Sequence, residues 1–190
     1  MDNKTQLQYY AIWSNFIYLI SGIYSIIISW RLRKTHKKTS YIFFFWGLLI
    51  MASGITSIFY HINNPSWTDN PKTLDSKTYK DLLKADMSLS ISSVCIGILF
   101  LLYRIRYCYC NKHIDNIIHN SNFWFAILFM ILSAVFFFLS DNSFKDSVDC
   151  KNETNCFDEN LDDYDVFHSN WHIFSGITSI FWLITLNDTY

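Results

Sequence analysis

Apolar stretches of about twenty residues, separated by segments that hold nearly all of the charge, constrain this chain more than any other feature of it. Wound as a helix, a run of that length spans the ~30 Å hydrocarbon layer of a bilayer. With 51% hydrophobic and 19% aromatic residues among 190, composition alone would also suit a modest soluble core. The segregation of charge from apolar runs decides for the membrane. The pattern predicts an all-α, multi-pass transmembrane helical bundle forming one unit over 1–190. Five spans are expected at about 11–30, 41–61, 86–103, 123–140 and 167–186, with outer loops at 62–85 and 141–166. The third is the most polar, because Ser88, Ser90, Ser92 and Ser93 dilute its first half; such serines are expected to face protein or water rather than lipid. The first span contains Asn15 and runs into Arg31, Arg33, Lys34, Lys37 and Lys38 without a small-residue cleavage site, so it is expected to be retained.

Charge sets the threading. The connector 31–40 carries five basic residues and no acid, and 104–120 carries Arg104, Arg106 and Lys112 against Asp115 alone, which marks both as cytoplasmic. The other two connectors hold most of the acids, including Asp158, Glu159, Asp162, Asp163 and Asp165, although Lys72, Lys77, Lys80 and Lys84 soften the contrast. The amino terminus is therefore expected outside and the carboxyl terminus in the cytoplasm. The basic runs are accounted for as topology signals, and no nucleic-acid motif is present. Cys150 and Cys156 flank a segment that an oxidising compartment could close by a disulfide, and Asn152-Glu153-Thr154 is a glycosylation sequon in the same outer loop. Cys108 and Cys110, at the cytoplasmic end of the third span, have the placement of palmitoylated cysteines. Ser53-Gly54-Ile55-Thr56-Ser57-Ile58-Phe59 recurs as Ser175-Gly176-Ile177-Thr178-Ser179-Ile180-Phe181. The identity does not extend into the flanks, so the copies are read as two close-packing faces rather than as a duplication.

Ionisable groups within spans cost free energy in lipid and usually face a cavity or a partner. Here they are few and grouped. Ser57 and His61 are four apart on the second span and share a helical face, as do His168 and His172 on the fifth, and Asp86 opens the third. Taken singly, each has a plain structural reading: an interfacial histidine, a small packing serine, an aspartate at the favourable end of a helix dipole. The threading, however, assigns all five to one depth, the outer leaflet. Three neutral imidazoles suit a tetrahedral zinc site with one open position. Zinc there would acidify a bound water and polarise a carbonyl. Asp86 would orient or deprotonate that water, and Ser57 would hydrogen-bond the substrate carbonyl or developing oxyanion. Asp165, three residues before His168, is an alternative ligand or orienting group. His36, His113 and His119 lie in the cytoplasmic connectors and receive no role.

The segments Ser57-Ile58-Phe59-Tyr60-His61, Asp86 and His168-Ser169-Asn170-Trp171-His172 resemble the CREST superfamily of membrane hydrolases, which includes alkaline ceramidases, the progestin and adiponectin receptor family and the myomaker-like proteins. Their shared pattern is S-x-x-x-H near the end of one span, D at the start of the next and H-x-x-x-H in the last. The likeness is nearest to the myomaker-like branch, around Tyr79–Ser90, Tyr164–Ile173 and the pair Ser14-Asn15. The family's usual seven spans would here be reduced to five by loss of one hairpin, which keeps the last histidine pair on the same side. The resemblance implies a zinc-dependent hydrolase acting on a lipid that enters from the bilayer, with a ceramide-like amide as the expected bond. Its myomaker-like members equally imply a non-catalytic protein of membrane remodelling, fusion or reception in which the metal ties helices together. A proton or ion pathway through the same groups is disfavoured, since no second polar cluster continues toward the cytoplasm.

Overall fold

The computed structural model describes residues 3–63, 77–110, 115–149 and 154–188. Among them the regular elements are all helices: α1 (Asn3–Ser14), α2 (Phe16–Leu32), α3 (Lys37–Ile62), α4 (Lys77–Cys110), α5 (Asp115–Ile118), α6 (Ser121–Asp149) and α7 (Thr154–Asn187). Four stretches are long and apolar enough to cross a membrane: Tyr9–Leu32, Lys37–Ile62, Asp81–Cys110 and Ser121–Asp146. The described part of α7 falls short of that apolarity because its first turns carry Asp165, His168, Ser169, Asn170 and His172. Of these, all but Asn170 are buried against other helices, so their polarity is hidden from the surroundings of the bundle.

The distribution of residues is the reverse of a soluble protein's. Trp13, Trp30, Phe45, Leu99 and Phe138 are 63 to 66% exposed, whereas Ser21, Ser25, Ser53, Ser57, His61, Asp86, Ser169 and His172 are exposed by 1% or less. A coat of large apolar side chains around a polar interior is stable in hydrocarbon and aggregation-prone in water. The chain thus has the make-up of an integral, multi-pass membrane protein.

Small residues bring α2 and α3 together. Gly22 and Gly47 face each other so closely that a Cβ on Gly22 would lie 2.7 Å from the Gly47 carbonyl oxygen, and one on Gly47 would lie 2.8 Å from that of Gly22. This approach lets Ser25 Oγ donate to the Phe43 carbonyl at 2.7 Å, and lets Ser29 and Ser40 each donate to the other's carbonyl at 2.8 Å. Such cross-helix bonds replace the hydrophobic driving force that lipid cannot supply. Both copies of the repeated heptad are packing faces, and both pack on α2: Gly54 lies against Tyr18 and Leu19, and Gly176 against Ile17. At the other end of the bundle, Phe43, Trp46, Ile50, Phe100, Trp182 and Leu183 form the apolar core. α6 and α7 are zipped by aromatic stacking of Phe129 and Phe136 on Phe174, at 5.9 and 5.2 Å between centroids.

Three differences from the sequence reading follow from local chemistry. Helix extends into both connectors expected to be outer loops: α4 is described from Lys77 rather than near 86, α6 to Asp149 and α7 from Thr154. Polar sequence outside an apolar run can keep a helix going through pairs such as Lys145 and Asp141, 2.5 Å apart at i,i+4. Asp86 consequently lies inside its helix and gains nothing from the helix start. Of the α4 serines, Ser90 and Ser93 turn inward as expected, but Ser88 and Ser92 fall on the opposite, exposed face. Cys150, Asn152 and the side chain of Cys156 lie outside the described residues. Cys108 is buried and Cys110 exposed, both as free thiols.

Candidate metal centre

The centre is built where α3 ends, where α4 passes and where α7 enters the bundle. Asn63 closes α3: its backbone N–H donates to the Phe59 carbonyl at 3.1 Å and its side-chain amide donates to the same oxygen at 2.8 Å. This C-cap holds His61 in the last full turn. The break between α1 and α2 comes at Asn15, where Ser14 Oγ and Asn15 Nδ2 both donate to the Ala11 carbonyl, at 2.7 and 2.8 Å. Tyr18, just past this break, packs edge-on against His172, 5.4 Å between centroids.

The structure brings His61, His168 and His172 together: one ring nitrogen from each lies within 4.8 Å of the others. Ring centroids are 4.4 Å apart for His168 and His172, 5.2 Å for His61 and His168, and 5.7 Å for His61 and His172. Asp86 Oδ2 approaches His168 Nε2 to 3.6 Å, and Ser57 Oγ is 3.1 Å from His172 Nε2. His61, His168, His172, Asp86 and Ser57 are therefore in one cluster. Asp165 stands apart from the three-nitrogen group, buried, with Oδ1 unpartnered. His36 and His119 are exposed in the connectors near 31–40 and 104–120, and His113 lies outside the described residues.

The polar atoms of this cluster are unsatisfied. Both ring nitrogens of His61, Nε2 of His168 and both carboxylate oxygens of Asp86 are buried without a hydrogen-bond partner. Each such atom costs about 1–3 kcal/mol when nothing pairs with it, and a cation held by one nitrogen of each ring, with a water on the carboxylate, would relieve all of them except the second nitrogen of His61. Neutral imidazoles beside a carboxylate are the donor chemistry of zinc. A tetrahedral ion with ~2.0–2.1 Å bonds keeps its nitrogens about 3.3 Å apart, so rings already within 4.8 Å need only small rotations to close on one.

Several residues of the centre carry no signal in the sequence. Ser140, at the end of an apolar run, contacts His168 Nδ1 at 3.3 Å. Tyr18 contacts His172 Nδ1 at 3.2 Å. Tyr60 and Tyr164, both buried, join hydroxyls at 2.9 Å, and both rings pack on His168. A chamber of about 140 Å³ lies beside His168, walled by Met87, Ser140, Phe144, Tyr164 and Trp171. A second cavity of about 280 Å³, almost wholly apolar, lies between α4, α6 and α7 and shares Phe137 and Trp171 with the first. Comparison with protein families, with curated proteins and with solved structures finds no match for this chain.

Proposed function

We propose that the chain is a zinc-dependent intramembrane hydrolase of the CREST type, acting on a lipid with a ceramide-like amide as the bond cleaved. The carrying observation is the convergence of three buried imidazoles, Asp86 and Ser57 beside a chamber that adjoins an apolar cavity. In this reading α7 is the fifth span, the amino terminus is outside and the centre sits in the outer leaflet, in keeping with the basic connectors at 31–40 and 104–120.

His61, His168 and His172 would hold the ion, which supplies Lewis acidity to a water and to the substrate carbonyl. Asp86 would take the proton of the attacking water and pass it to the departing nitrogen, so that amide and water become carboxylic acid and amine. Ser57 Oγ would donate to the carbonyl oxygen as negative charge develops on it. The chamber would receive the polar group of the lipid and the apolar cavity one of its chains.

A second reading, a structural metal in a protein of membrane remodelling, fusion or reception, is favoured by the depth of the centre, none of whose three imidazoles is more than 4% exposed. Zinc content and turnover of a fluorescent ceramide, measured together on purified protein, test the proposal. Stoichiometric zinc and hydrolysis are expected, with both lost in His172→Ala. A well-folded preparation that binds no zinc removes the proposal; zinc without turnover of any lipid amide favours the structural reading.

A further inference from the structure

We infer that Tyr18 is a positioning residue for His172, fixing the imidazole proton on Nδ1 through a hydroxyl relay and so presenting Nε2 to the metal. The inference rests on the zinc reading above. It follows from counting protons along a chain of buried groups. Ser175 Oγ has one proton and two backbone carbonyls in reach, those of Trp171 at 2.7 Å and His172 at 3.2 Å. A carbonyl can only accept, so that proton is committed to the backbone. With that proton on the backbone, the contact between Tyr18 and Ser175, in which either hydroxyl could donate, is assigned as a donation from the tyrosine to Ser175 Oγ. With its own proton spent, Tyr18 can meet His172 Nδ1, 3.2 Å away, only as an acceptor. The proton of the neutral ring therefore sits on Nδ1, and the lone pair on Nε2.

Nε2 is the nitrogen that faces the rest of the centre, since Ser57 Oγ lies 3.1 Å from it. A cation there would take over the lone pair and free the Ser57 proton for a substrate oxygen. His168 repeats the arrangement with a different helix: Ser140 of α6 meets Nδ1 at 3.3 Å, while Nε2 is unpartnered and faces Asp86. A partner on the far ring nitrogen fixes tautomer and orientation and raises ligand basicity, and its loss typically lowers metal affinity 10–100-fold. Tyr18 thus gives the first transmembrane stretch a part in the centre.

The test uses the full chain in lipid nanodiscs. Zinc affinity is measured by competition with a chelating dye for wild type and Tyr18→Phe, and the proton of His172 is located in metal-free wild type from ¹⁵N-histidine NMR spectra assigned by His172→Asn. The expected results are an Nδ1–H tautomer and a zinc Kd about 10–100-fold weaker in a Tyr18→Phe protein that still folds in chelator. A purely structural Tyr18 would lower melting and leave zinc affinity alone. Should Tyr18→Phe fail to fold, Ser175→Ala frees Tyr18 to donate to Nδ1, and the NMR spectrum should then show the proton moved to Nε2. An Nε2–H tautomer in wild type, or unaltered zinc affinity in a folded Tyr18→Phe, overturns this inference and leaves the zinc reading standing. A wild type that takes up no zinc removes both.

Discussion

Replacing His61 by leucine should stabilise the metal-free protein and destabilise the zinc-loaded one, a reversal of sign that ordinary core damage cannot produce. Both nitrogens of this ring are buried without partners, and the residue is 0% exposed. Each unpaired nitrogen costs about 1–3 kcal/mol. Leucine removes both penalties while forfeiting the ring's edge-on contacts with Tyr60, His168 and His172, 5.0, 5.2 and 5.7 Å between centroids, each worth about 0.5–1.5 kcal/mol. At mid-range the balance is about 1 kcal/mol in favour of the variant, equivalent to about 2–4 °C in melting temperature for a chain of this size. With zinc at a hundred times Kd, the wild type gains about 2.7 kcal/mol, or about 5–10 °C on the same scale. The variant has lost one of three ligands and should gain little. The assay is thermal unfolding in detergent, followed by tryptophan fluorescence, with chelator and with zinc. A His61→Leu protein that melts below wild type in chelator, or that keeps the full zinc shift, would refute the reasoning.

Asp86→Asn should keep its zinc and lose turnover of a fluorescent ceramide by about 10²–10⁴-fold, because only the carboxylate can carry the proton; equal turnover would remove Asp86 from proton transfer. Gly47→Leu should cost about 1–3 kcal/mol or more through overpacking, since its Cβ would meet the Gly22 carbonyl and Ser25, and wild-type melting would contradict the close approach of α2 and α3. A reporter fused after Tyr190 should be accessible from the cytoplasm, and cysteines placed in the connector 31–40 should be too; opposite labelling would overturn the threading and with it the outer-leaflet depth.

Much of the fold and the cluster was legible because a bilayer imposes few solutions on a chain. Apolar length gave the helices around 11–30, 41–61 and 123–140, and i,i+4 spacing gave the shared faces of Ser57 with His61 and His168 with His172. Depth then placed Asp86 with them. Hydropathy could not carry α4 back to Lys77, because helix continuation outside an apolar run depends on local pairing rather than on apolarity. Ser88 and Ser92 show a related limit: serine content suggests a polar environment for a segment, but which face turns inward depends on the partner helix. Tyr18, Ser140, Tyr60 and Tyr164 were hidden because hydroxyl residues are common in such a chain. The seating of Gly54 and Gly176 on α2 brings Tyr18 beside His172, a packing that residue spacing alone does not reveal.

X-ray absorption at the zinc edge of the purified wild type reports the ion, its donor atoms and its imidazole count in one experiment. The account predicts one zinc with nitrogen or oxygen donors at ~2.0–2.1 Å and multiple scattering from three imidazoles, with the zinc signal lost in His172→Ala. Sulfur donors, a single imidazole, or a folded protein without zinc would contradict it.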